Sequence, residues 1–129
     1  MTSPEVVLAE VEAHHETLTA WLGTEAETAV LDRFLAGQSP DFSLVDIEGR
    51  VLGLTDLENL LSGARNAAPG LRITISEFAV VAQTAEVVVC RFLEQHSIGI
   101  SRRVTAVLVP DTAARHGLRW LSVHETPTH

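Results

Sequence analysis

The chain has 129 residues, with nine Arg and no Lys set against seventeen Asp and Glu, for a formal net charge of −8. This length suits one domain spanning residues 1–129, and 46% hydrophobic against 20% charged residues excludes intrinsic disorder. So acidic a chain, with no basic cluster larger than Arg102-Arg103, argues against nucleic acid as a partner, and the lack of Lys excludes Schiff-base chemistry by a lysine amine.

Ser3 can cap a helix whose first residue is Pro4 and which Gly23 closes. Val7, Leu8, Val11, His15, Leu18 and Leu22 form its apolar stripe, with His14 on the flank. Thr24-Glu25-Ala26-Glu27 reads as a capping box for a second helix carrying Val30, Leu31, Phe34 and Leu35, which ends near Gly37. Phe42 to Ile47 and Arg50 to Leu52 read as a hairpin around Glu48-Gly49. Thr55-Asp56-Leu57-Glu58 is a further capping box, opening a third helix that Pro69-Gly70 terminates at the latest.

Beyond Leu71 the pattern turns to strands. Arg72 to Ser76 alternates and continues through Phe78 to Ala82; Glu86 to His96, Arg102 to Val109 and Arg119 to Thr126 follow. Short polar connections predict an antiparallel meander. The expected fold class is α+β: a cone-like, curved antiparallel sheet with three helices from the N-terminal half packed on its concave face.

The apolar runs, such as Val104 to Val109, are too short to span a membrane, and Met1-Thr2-Ser3-Pro4-Glu5 carries neither the basic stretch nor the apolar run of a signal peptide. A cytoplasmic protein with no membrane partner is the expectation. Cys90, the single cysteine, lies in the run Val87-Val88-Val89-Cys90 and is expected in the core.

This order of elements, closed by Trp120-Leu121-Ser122-Val123-His124-Glu125-Thr126, resembles the nuclear-transport-factor-two-like superfamily, which includes the ketosteroid isomerase-like and SnoaL-like domains. The texture is most similar to the subgroup of the calcium/calmodulin-dependent kinase association domain. There, central strands carry inward-facing arginines to which Arg91 and Arg103 are similar in position, and Trp120, Val123 and His124 match the start of the last strand. The resemblance implies a pocket between helices and sheet, and homodimers formed sheet against sheet. It implies no particular reaction.

Alternation gives two opposed faces. If Arg91, Arg103, Thr105 and Glu125 face inward, they converge on an aliphatic pocket where the arginines could hold an acidic or carbonyl ligand. The bland alternative is that Glu125 neutralises an arginine. His15 and Glu125 are the candidate acid–base residues, and a packed His15 hydrogen-bonded to a carbonyl or to Glu125 is the alternative. Trp120, Ser122 and His124 are assigned to the opposite face, as a dimer interface. The histidines, His129 among them, show no metal-ligand spacing, so no metal or cofactor is expected. The favoured function is a dimeric small-molecule binding protein. A small enzyme moving a proton beside a carbonyl and an oligomerisation module with a vestigial pocket are the alternatives.

Overall fold

The computed structural model describes residues 1–128, so His129 lies outside the described residues. Helix α1 (Pro4–Gly23) begins where Ser3 Oγ accepts from Val6 N–H, and its inner stripe is buried at Val7, Val11, His14 and His15. Helix α2 (Thr28–Ala36) starts later than its expected capping box. The Thr24 hydroxyl instead donates to the Ala20 carbonyl, satisfying an acceptor that the end of α1 leaves free. Gly23 is packed so tightly on Leu71 that an added Cβ would come within 3.1 Å of its backbone nitrogen.

Strands β1 (Gln38–Val45) and β2 (Val51–Gly53) form the expected hairpin. Its turn is held by Asp46 Oδ1, which accepts from the N–H groups of Glu48 and Arg50 at 2.9 Å each. Helix α3 (Leu54–Ser62) opens one residue ahead of the expected box, with the Gly53 N–H donating to Asp56 Oδ2. Four long strands follow: β3 (Ile73–Gln83), β4 (Val88–His96), β5 (Ser101–Pro110) and β6 (Leu118–Pro127). A bulge at Glu77, with φ of 53°, lets β3 keep Ile75, Phe78 and Val80 against the core.

The sheet order is β2-β1-β6-β5-β4-β3. From β3 to β6 it is the antiparallel meander expected from the short connections. The sheet as a whole is mixed, because β1 runs parallel to β6, with Leu44 opposite Val123. The fold is α+β, with the three helices in the N-terminal half against a curved, unclosed sheet. Val7, Val11, Phe92, Val104, Ala106 and Leu108 fill the space between the layers, each at most 1% exposed. Among the described residues no helix is long and apolar enough to cross a membrane.

Candidate functional site

The inner face of the sheet follows the even residues of β4: Val88, Cys90, Phe92 and Glu94 are all buried, while Arg91 between them is exposed. Cross-strand pairing sets Phe92 beside Val104 and Glu94 beside Arg102, and the next strand brings Glu125 opposite Val104. Between this face and the helices lies a cavity of about 330 Å³. Its walls are apolar, including Leu18, Leu22, Phe34, Leu57, Phe92 and Val104. Ile47 and Leu60 both line it and stand 40% and 59% exposed, which marks the mouth.

One region of the lining is charged. Glu94 accepts from two imidazoles, His15 Nε2 at 3.2 Å and His96 Nε2 at 2.5 Å. The other ring nitrogen of His15 donates to the Val11 carbonyl at 2.7 Å. Burial alone would raise the Glu94 carboxyl, but the hydrogen bonds and charges of His15 and His96 outweigh it and hold the group well below the usual carboxylate range. Arg102 Nη1 donates to both oxygens of Glu125, at 3.1 and 3.2 Å, while the buried Nε of Arg102 has no acceptor among the described residues. Burial pushes the Glu125 carboxyl up; Arg102 opposes that, and the charges of Glu94 and Asp46 reinforce it. His14 stacks on the Trp120 indole, with centroids 3.9 Å apart and planes at 25°. Burial, then the neighbouring His15 charge, holds its pKa well below the ordinary 6.5.

The structure therefore brings His15 and Glu125 to one cavity, as the sequence suggested. His15 meets a carbonyl, but the carboxylate beside it is Glu94 and not Glu125; Glu125 meets an arginine, and that arginine is Arg102. The inward placement of Arg91, Arg103 and Thr105 is corrected: Arg91 and Thr105 are exposed on the outer face, and Arg103 reaches the exposed Glu77 at 3.5 Å. A one-residue change of phase moves every side chain of a strand to the other face, and Phe92, Val104 and Leu108 claim the inside. Trp120 is corrected in the opposite sense. A register shift at Val107/Leu108, opposite Ser122 and Trp120, leaves Leu121 unpaired and turns Trp120 to the same side as Val123 and Glu125, at 1% exposure. Ser122 and His124 stay on the outer face, with His124 exposed.

Sequence reasoning points to neither Arg102 nor His96 as a site residue. The signal was present: placing Cys90 in the core forces Phe92, Glu94 and His96 onto the same face. Among the described residues no cluster of His, Cys, Asp and Glu is arranged to hold a metal ion.

An NTF-2-like protein of unknown function from Pseudomonas aeruginosa superposes with a TM-score of 0.84 at 28% identity, covering 96% of this chain and 99% of that one. The fold is that of the NTF-2-like proteins. Aln2 from a Streptomyces species has the same NTF-2-like fold, with a TM-score of 0.72 at 16% identity over 98% of this chain and 94% of its own. The CaMKII hub of S. rosetta aligns at 0.58 and 17% identity, covering 78% of this chain and 90% of the hub. No protein-family model matches the sequence, and no curated protein does. The NTF-2-like architecture accounts for a pocket between helices and sheet, and its chemistry comes from the residues lining it.

Proposed function

We propose that the protein binds a small, mainly apolar molecule carrying a carbonyl group, with that oxygen at Arg102, and that it works as a homodimer. The cavity carries this reading: about 330 Å³, aliphatic and aromatic walls, and a few convergent polar groups, the usual form of a small-ligand site. An acidic ligand fits less well. Asp46, Glu48, Glu94 and Glu125 line the cavity against only Arg50 and Arg102, and Arg102 already holds Glu125. The dimer reading is supported by the outer face of the sheet, where Val89, Leu93, Val107 and Leu121 lie half-buried away from the helices.

Calorimetric titration with acetonaphthone and with naphthoate, matched in size, tests the ligand class. The ketone should bind, the carboxylate should bind at least tenfold more weakly, and Arg102→Met should remove the preference. Equal binding of the two, or binding of neither, overturns the reading.

A second reading, proton transfer beside that carbonyl, is favoured by Glu125. Its carboxyl is raised by burial and stands beside a guanidinium suited to a developing enolate oxygen.

A further inference from the structure

The sheet sorts charge between its two sides. Strands β4, β5 and β6 carry two carboxylates, Glu94 and Glu125, and both line the cavity. Arg91, Arg103 and His124 lie on the other side, around Thr105. The register sets Arg91 directly opposite Thr105 and Thr105 opposite His124, while Arg103 stands two positions before Thr105 on the same face of β5. Opposite residues are about 5 Å apart at Cβ and diagonal ones no more than about 8 Å, within reach of side chains as long as arginine. Most guanidiniums of this chain hold a carboxylate: Arg50, Arg65, Arg102, Arg115 and Arg119 each have one at 3.1 Å or less. Arg91 has none among the described residues, and Arg103 has only the exposed Glu77, at 3.5 Å. On a chain of net charge −8, the outer face of the central strands is therefore a basic patch.

We propose that Arg91, Arg103, Thr105 and His124 form a binding site on the outer face of the sheet for a divalent oxyanion, with inorganic phosphate as the fitting case. Two guanidiniums supply the forked N–H donors that match an oxyanion, and the Thr105 hydroxyl and the His124 ring add donors from the neighbouring positions. A dianion offsets both arginines, which the single carboxylate of Glu77 does not. The site shares no residue with the cavity and stands apart from the ligand held there. It does bear on the homodimer reading. A second copy seated on this face brings the arginines towards their own images across the two-fold axis, and buried unpaired charge is costly. Bound phosphate removes that repulsion and so favours the dimer.

Calorimetric titration with inorganic phosphate, in chloride buffer of matched ionic strength, reads the site directly. The protein should bind phosphate saturably. Arg91→Gln should weaken binding about tenfold, the worth of one hydrogen bond to a charged group. Arg33→Gln, at an exposed arginine on α2, should leave it unchanged. Both positions are exposed, so neither change threatens the fold. No saturable binding, or an equal loss in the two variants, overturns the proposal. Sedimentation velocity with and without phosphate separates the site from the homodimer reading. A protein that binds phosphate through Arg91 yet stays monomeric keeps the site and loses the dimer. A protein that is dimeric in both buffers and binds no phosphate keeps the dimer and loses the site.

Discussion

The carboxylate of Glu10 on α1 accepts the indole N–H of Trp120 on β6 at 2.8 Å, joining two residues 110 positions apart. Arg115 Nε and Nη2, at 3.2 and 3.1 Å, and His116 Nδ1, at 3.1 Å, complete its shell. Glu10 is only 1% exposed, so this carboxylate is a buried charge with its partners supplied from the loop between β5 and β6. The contact fixes the indole that walls the cavity and supports His14.

Glu10→Ala should therefore be costly, because it strands the indole N–H and removes the anchor of the loop. About 3 kcal/mol of unfolding free energy should be lost. Arg115→Ala should cost clearly less, since that side chain is 43% exposed and water replaces its contact. Urea unfolding followed by tryptophan fluorescence measures both, and equal losses would contradict the ranking.

His14 gives stability a pH dependence of known sign. Its folded pKa lies well below 6.5, so as pH falls below that ordinary value the unfolded chain takes up a proton that the folded one refuses. Stability should drop from about pH 6.5 towards pH 5, with a slope of up to ~1.4 kcal/mol per pH unit. His14→Phe, which keeps a ring on Trp120, should flatten this decline. Denaturation midpoints at several pH values test it, and an unchanged slope would assign the effect elsewhere.

Burial pushes the Cys90 thiol up to about 12. The thiolate is the reactive form, so Ellman's reagent at neutral or mildly alkaline pH should not label the folded protein. Labelling should reach one equivalent per chain once guanidinium unfolds it. Rapid labelling without denaturant would mean that β4 opens readily.

Val107 sits outward, opposite Val89 and Ser122, on the face proposed to meet a second copy. Val107→Glu should turn a dimer into monomers, because two unpaired carboxylates would be buried together at a symmetric contact. Sedimentation velocity decides this. A variant that still dimerises would place the interface elsewhere.

Much of the architecture was legible because its signals are local. Ser3-Pro4 and Gly23 bracket α1, Glu48-Gly49 marks the hairpin, and the alternation after Leu71 outlines the meander. The capping boxes were read less well. Thr24 has the right chemistry for a helix start, yet its hydroxyl serves the end of the preceding helix instead. Of the site, His15 was legible from its place on an apolar stripe. Glu125 was legible too, but its partner was not.

Local patterns in the chain mark which segments are helices and strands, and they allow a pocket with few polar groups between them. Which strand faces look inward depends on packing between the layers. Alternation has a period but no phase: Arg91 and Phe92 are neighbours, and either could lead inward. Packing decides, because Phe92, Val104 and Leu108 lose water-exposed apolar surface on the inside, whereas an arginine buried there would need a partner for its charge. At Trp120 a bulge resets the alternation within β6, so no local rule could have placed that ring inside. The polar cluster follows from the same choice, since Glu94, His96, Arg102 and Glu125 come together only once the hydrophobic residues on their strands have taken the inner face.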